Sequence, residues 1–121
     1  MSERLNSFEK NLLVSIVSQH SSTLALYESR IDSLRVYSRE PTGVGCYINF
    51  VKKGIAFLNT LESTELGYDG MIFAPDVVSG IGALLAINAG ELEYIEMFTY
   101  GGEYWDGNTS AATISKLAPT D

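Results

Sequence analysis

Carboxylates are the most numerous candidates for chemistry in this chain, and they concentrate in its second half. Residues 54–121 contain ten Asp and Glu residues but one basic residue, Lys116. Paired carboxylates could act as general acid and base in a hydrolysis, or could bind a hard cation such as Ca²⁺ or Mg²⁺. No D-x-D-x-D-G loop is present, however, and a solvated strand face explains the pattern with fewer assumptions, so we predict no catalytic and no metal site. The densest acidic group is Glu91, Glu93, Glu96, Glu103 and Asp106.

Histidine and cysteine, the common bases and nucleophiles, occur once each. Because His20 is the only histidine, a multi-histidine metal site is excluded, although His20 could act alone as a general base. Its position in a serine-rich stretch at the end of a predicted helix favours a capping role instead. Cys46 alternates with apolar residues in a predicted strand, where burial would raise its pKa and make it a poor nucleophile. No glycine lies in a G-x-x-x-x-G-K-[ST] or G-x-G-x-x-G phosphate loop. The sequence therefore predicts a protein that is not an enzyme and that uses no cofactor.

The net charge of −7 restricts the partners. A negative field repels phosphate groups, so we expect binding neither to nucleic acid nor to an anionic membrane surface, whereas a cationic protein would be attracted. No apolar run reaches the ~18 to 20 residues of a membrane helix, and no secretory signal is visible. A lone cysteine also agrees with a reducing compartment. We therefore predict a cytoplasmic protein.

The elements that position these residues begin with helices. Asn6 and Glu9 have the spacing of a capping box, and the apolar residues that follow recur at helical intervals, so we predict an amphipathic helix from there. A second short helix is predicted from Ser22 to about Arg30, which makes residues 6–31 helical.

From residue 33 the period changes to two, which predicts strands. A hairpin around Pro41, Thr42 and Gly43 is followed by further strands and a turn at residues 88–90. The predicted strands are Ser33–Glu40, Val44–Val51, Glu65–Phe73, Gly80–Asn88 and Glu91–Tyr100, the last being the longest. We expect one α+β domain over residues 1–121, with N-terminal helices packed on one face of an antiparallel sheet of about five strands, strand-rich over 33–100 and loosely ordered over 107–121.

Glu96 falls between Tyr94 and Phe98 on a strand face that the alternation predicts to be largely buried. A buried carboxylate must be paired, hydrogen-bonded or protonated. Arg39, near the end of the first predicted strand, is the candidate partner, so we predict a structural ion pair between Arg39 and Glu96.

An aromatic and acidic segment leaves the last predicted strand. In Tyr100-Gly-Gly-Glu-Tyr-Trp-Asp106, two glycines accompany three aromatic residues and two carboxylates. Tyrosine and tryptophan are common at interface hot spots, so the segment is typical of an exposed protein-binding tip. The alternative is that Trp105 folds back and covers the edge of the core.

Two stretches carry a resemblance to known proteins: Ser38-Arg-Glu-Pro-Thr-Gly-Val-Gly-Cys-Tyr47, and Gly90-Glu-Leu-Glu-Tyr-Ile-Glu-Met-Phe-Thr-Tyr-Gly101 followed by Trp105-Asp106. They resemble small bacterial proteins, some of whose neighbours serve as immunity proteins in contact-dependent inhibition and other polymorphic-toxin systems. The resemblance implies an antitoxin that masks a cognate toxin domain, and such toxins are often cationic nucleases.

The leading prediction is therefore a non-catalytic immunity protein that neutralises a basic toxin nuclease through an acidic and aromatic surface. It depends on the ten late carboxylates forming a single negative face. One alternative is a small hydrolase or ligand-binding domain with a carboxylate site between helix and sheet, and another is an adaptor that dimerises through its sheet edges. The predicted contact residues are Glu91, Glu93, Glu103, Tyr104, Trp105 and Asp106.

Overall fold

The computed structural model describes residues 3–20, 31–52 and 63–116, and this part of the chain is mostly β-structure. The predicted second helix and the chain between residues 53 and 62 lie outside it. Within it, no helix has the length and apolarity needed to cross a membrane. The elements are β1 (Glu3–Arg4), α1 (Ser7–His20), β2 (Arg35–Pro41), β3 (Gly45–Phe50), β4 (Thr64–Gly67), β5 (Gly70–Ala74), β6 (Val77–Asn88), β7 (Glu91–Thr99) and β8 (Thr113–Lys116).

Helix α1 begins where the capping box predicts. The backbone N–H of Glu9 donates to the Asn6 side chain at 2.8 Å, and the Glu9 carboxylate accepts the Asn6 N–H at 2.9 Å. These reciprocal bonds satisfy two donors that the first turn of a helix leaves unpaired. The apolar side chains of α1 are buried in one cluster with those of the strands: Leu12, Leu13, Ile16 and Val17.

The strands form one antiparallel sheet of eight strands, so the expected five is wrong. Their order is β1-β2-β3-β7-β6-β5-β8, and β4 pairs with β6 beside β5. The predicted strand Glu65–Phe73 is divided into β4 and β5, because the chain leaves the ladder at Tyr68 and Asp69, where the Gln19 side chain binds the Asp69 backbone at 2.8 and 3.2 Å. Strand β6, with 12 residues, is longer than β7, with nine. Residues 113–116 of the predicted tail form β8.

The faces of β7 differ from the prediction. The register between β6 and β7 shifts beside Glu93, because Ile87 lies opposite Leu92 while Ala86 lies opposite Tyr94. Such a bulge changes which side chains share a face. Leu92, Ile95 and Met97 are therefore buried together, on the side that we call the core face. The residues that follow the other alternation, Tyr94, Glu96 and Phe98, are half-buried on the opposite side, the outer face.

Candidate protein-binding surface

The outer face of the central strands carries tyrosines and carboxylates in adjacent rows. In one row, Glu40 of β2 lies opposite Tyr47 of β3, and Tyr47 lies opposite Glu96 of β7. In the next row, Tyr94 of β7 and Glu65 of β4 both pair with the small Ala86 of β6. Together with two residues at the side of this arrangement, they form what we call the Tyr/Glu face: Tyr37, Glu40, Tyr47, Glu65, Glu93, Tyr94 and Glu96.

Two tyrosines of this face, Tyr47 and Tyr94, are held by the sheet and by each other. The rings of Tyr47 and Tyr94 meet edge to face, with centroids 5.2 Å apart and planes at 77°. Such pairs contribute about 0.5–1.5 kcal/mol beyond their area, so the rings are fixed before any partner arrives. Beside Tyr94 lies an open depression of about 440 Å³ whose lining includes Tyr37, Lys52 and Glu93.

The carboxylates impose a negative potential on the tyrosine hydroxyls. The charge of Glu96 is the main cause of a raised pKa at Tyr47. At Tyr94 burial raises the pKa first, and the charges of Glu65, Glu96 and Glu93 raise it further. Both hydroxyls therefore stay protonated to a higher pH than an ordinary tyrosine does. Lys52 pairs with Glu93 at 3.3 Å at the margin of the face.

The predicted contact residues are divided between two ends of β7. Glu93 belongs to the Tyr/Glu face, and Glu91 lies at the β6–β7 turn opposite Asn88. The segment of residues 103–106 follows the other end of β7, and the eight steps of ~3.3 Å along this nine-residue strand place its two ends roughly 26 Å apart. The prediction of a single negative face is therefore wrong. Asp69, at the β4–β5 junction, lies elsewhere again, whereas Asp76, between β5 and β6, lines a cleft together with Asp106.

The four predicted contact residues beyond β7 have different positions in the fold. Trp105 is 5% exposed and belongs to the core, so it covers the core edge, as the alternative expected. Its backbone N–H donates to Gly43 at 3.0 Å. Glu103 turns back to the backbone of Val78, whose N–H it accepts at 2.7 Å. Tyr104 between them is exposed. Asp106, the fourth, is exposed and accepts the Asn108 N–H at 2.9 Å.

The predicted ion pair between Arg39 and Glu96 is wrong. Arg39 lies opposite Ile48 and so reaches the core face, whereas Glu96 is on the outer face. The guanidinium donates to both carboxylate oxygens of Glu9 at 2.7 Å and to Glu3 at 2.7 Å.

Glu9 is the buried carboxylate that sequence reasoning missed. It is 1% exposed. Its spacing gave a signal, because Leu12, Leu13 and Ile16 follow it at three, four and seven residues and so share its helix face. A capping glutamate on the apolar face of a helix requires a cation, and Arg39 supplies it.

The two remaining candidates from the sequence are Cys46 and His20. Cys46 is buried, and burial is the main cause that raises its pKa to about 11. Helix α1 ends at His20. Among residues 3–20, 31–52 and 63–116, no group of three or more His, Cys, Asp and Glu residues could hold a metal ion.

A cavity of about 400 Å³ lies at the start of α1, beside the sheet, where the hydrolase alternative would place its carboxylates. Its lining includes Glu3, Glu9, Arg39 and Asp106. Two of these carboxylates are bound by the Arg39 guanidinium, so they form a structural cluster rather than an acid and base pair. No protein-family model matches the chain, and no curated protein or solved structure matches it.

Proposed function

We propose that this protein is a non-catalytic immunity protein of the bacterial cytoplasm that binds and neutralises a cationic toxin nuclease domain. The late carboxylates do not form the single negative face on which the sequence prediction depended. The proposal rests instead on the Tyr/Glu face, where carboxylates and tyrosines alternate across neighbouring strands. The toxin would place the lysines and arginines of its substrate groove on this face. Occupied in this way, the groove would be closed to its nucleic acid.

The residue types of the Tyr/Glu face suit this task. Tyrosine supplies a large contact area with two side-chain torsions to fix, and its ring attracts Lys and Arg cations. The neighbouring carboxylates add charge-assisted hydrogen bonds and accelerate association with a basic surface. Because the strands already fix the rings, little conformational entropy remains to be lost on binding.

The shape of the face favours a macromolecular partner over a small substrate. Enzyme and ligand sites are enclosed clefts that bury most of the ligand. Glu96 and Tyr94 lie instead on an open sheet surface beside a wide depression. A nuclease binds its substrate with lysines and arginines that lie along a groove. The carboxylates of the Tyr/Glu face could bind these cations in the same way as the phosphates do.

Co-expression tests the proposal directly. Cells that produce the toxin encoded immediately upstream should survive when this protein is present and die when it is absent. With the purified pair, Glu65→Lys should lower the association rate about tenfold at low salt and weaken its salt dependence. Glu40→Lys, on the other side of the face, should do the same.

Asp69→Lys provides the matched control. It changes the net charge by the same amount as Glu65→Lys, but Asp69 lies at the β4–β5 junction, where Gln19 binds its backbone. At an ionic strength of ~0.1 M, where the screening length is about 10 Å, the association rate of Asp69→Lys should stay within about twofold of the wild-type value, while Glu65→Lys should still associate more slowly. Equal effects of the two reversals, or no protection and no binding by the wild-type protein, would reject the proposal.

A further inference from the structure

A bulge at the start of β6, next to the end of β7, exposes an apolar side chain. Ile72 of β5 lies opposite Ile81 and Ala74 lies opposite Val77, so a single β5 residue, Phe73, faces three residues of β6. The bulge directs Val78 outward, and Val78 is 96% exposed. Bulges commonly re-aim a side chain, and a β-branched apolar residue in full solvent gains nothing from folding.

The bulge is held by the loop that follows β7. One carboxylate oxygen of Glu103 accepts the N–H groups of Val78 and Ser79 at 2.7 and 3.3 Å, and the other accepts the Ser79 hydroxyl. The Ser79 oxygen in turn accepts the Gly101 N–H at 2.8 Å. The Thr99 hydroxyl donates to the Glu103 carbonyl at 2.9 Å. The loop and the bulge therefore form one preorganised unit, which buried Trp105 anchors to the core.

This unit presents a group of exposed apolar side chains. Besides Val78, Tyr104 is 75%, Tyr100 54% and Phe73 48% exposed. The segments that carry them are joined by the Glu103 bonds, by a bond from the Tyr100 N–H to Gly80 at 3.1 Å, and by β5–β6 pairing.

The charges beside this group have one sign. A cleft of about 140 Å³ lies between the β5–β6 turn and the loop, and both Asp76 and Asp106 line it. Among the described residues, no Lys or Arg lines this cleft, whereas Arg39 lines the neighbouring cavity at the start of α1, which Asp106 also lines. The surroundings therefore complement a basic side chain that accompanies an apolar one.

We infer that this unit, the bulge tip, is a second contact surface, which binds a protein segment of the toxin that presents a basic side chain next to an apolar one. The bulge tip comprises Phe73, Asp76, Val78, Tyr100, Tyr104 and Asp106. The inference rests on the proposed function, because the same partner would meet both surfaces. The basic side chain enters the cleft between the two aspartates, and the apolar neighbour contacts Val78 and Tyr104. Glu103 is a positioning residue, since its carboxylate is used within the protein.

The test uses the purified, catalytically inactivated protein encoded immediately upstream as the probe, and measures association and dissociation rates by surface plasmon resonance. Val78→Ser and Tyr104→Ala should each raise the dissociation rate about tenfold or more and leave the association rate within about twofold. Asp76→Asn should weaken binding in the same direction. Tyr104→Phe, which keeps the ring, should bind nearly as wild type does. Asn11→Ala, at an exposed position of α1, is the control for substitution as such.

The outcomes separate this inference from the proposed function. If Glu65→Lys slows association while Val78→Ser and Tyr104→Ala bind as the wild type does, the bulge tip is not a contact surface and the Tyr/Glu face stands. If the wild-type protein does not bind the probe, both proposals fail. Val78 is nearly fully exposed, so its variant should keep the wild-type Tm and remains informative even where Tyr104→Ala does not fold.

Discussion

At Arg39, strand β2 meets two carboxylates of the N-terminal segment, which precede it by 36 and 30 residues. Hydrogen bonding to Glu9 is the main cause that raises the Arg39 pKa, so the guanidinium stays charged, and Glu3 adds a second acceptor. Arg39→Ala would leave the buried Glu9 carboxylate unpaired, and we expect the free energy of unfolding, measured in urea, to fall by about 3 kcal/mol. The double variant Arg39→Ala with Glu9→Ala should be no less stable than Arg39→Ala alone.

Arg35, in the same strand, is the control for this pair. Its guanidinium donates to the backbone carbonyls of Asp32 and Leu34 rather than to a carboxylate. Arg35→Ala should therefore lower the free energy of unfolding by about 1 kcal/mol or less. Additive losses at Arg39 and Glu9, or equal losses at Arg39 and Arg35, would contradict a coupled buried pair.

Tyr68 presents the opposite case, a polar atom without compensation. Its ring is buried, and its hydroxyl has no hydrogen-bond partner among the described residues. Because removal of that hydroxyl breaks no bond, Tyr68→Phe should leave the free energy of unfolding unchanged or raise it by up to about 1 kcal/mol. Tyr68→Ala, which removes the ring as well, should lower it by about 3 kcal/mol. A clear loss of stability in Tyr68→Phe would show that the hydroxyl is bonded.

At the scale of the element, the β6 bulge depends on the charge of Glu103. The Ser79 hydroxyl is the main cause that lowers the Glu103 pKa below its usual 4.5, and the Val78 and Ser79 N–H groups lower it further. A lowered pKa means that this stabilisation is complete above about pH 4.5 and is lost as the pH falls through the folded-state value. In an NMR titration, the amide resonances of Val78 and Ser79 should shift together with a midpoint below 4.5.

Glu103→Gln supplies the comparison for this titration. It should lower the Tm at pH 7. It should also abolish the common titration of the two backbone amide resonances, because the glutamine side chain has no carboxylate to protonate. A wild-type midpoint at or above 4.5, or an unchanged titration in the variant, would contradict the role of the Glu103 carboxylate in holding the bulge.

The same elements show what the sequence could and could not predict. Local signals located α1 through its capping box and the β6–β7 turn through Ala89 and Gly90, which adopt the left-handed φ values of 52° and 78° that such a turn needs. The face of β7 was misassigned because one extra residue at Glu93 reverses the alternation, and no local pattern reveals a bulge. Short strands such as β1 and β8 exist only through pairing with distant segments, so their sequences carry little signal.

The sequence predicted part of the candidate surface and missed the rest. The acidic and aromatic composition pointed to Glu93 and Tyr104, which the structure places on the Tyr/Glu face and the bulge tip. Glu40, Tyr47 and Glu65 were missed, because they join the face through cross-strand register, which is a non-local property. The buried position of Trp105 likewise depends on its contact with Gly43, some 60 residues earlier in the chain.

At the scale of the whole molecule, the distribution of charge has a cost in stability that can be measured without any partner. Glu65, Glu93 and Glu96 all act on the Tyr94 hydroxyl, and we expect these like charges on the outer face to repel one another weakly. Glu65→Gln should therefore raise the free energy of unfolding at low ionic strength by a few tenths of a kcal/mol, with a small rise in Tm. The gain should shrink at 0.5 M NaCl, where the screening length is a few ångströms.

Asp32 is the matched control for Glu65, because it is also an exposed carboxylate but is paired with Lys10 at 2.8 Å. The hydrogen bond from Lys10 is the main cause of the lowered pKa of Asp32. Asp32→Asn changes the net charge of −7 by the same amount as Glu65→Gln does. It should nevertheless lower the Tm or leave it unchanged, because it breaks an ion pair. Opposite responses of the two variants would mean that local repulsion on the Tyr/Glu face, rather than total charge, opposes folding, as expected where a surface is kept for a partner. Equal gains would assign the effect to net charge and remove the electrostatic argument for a cationic partner at this face.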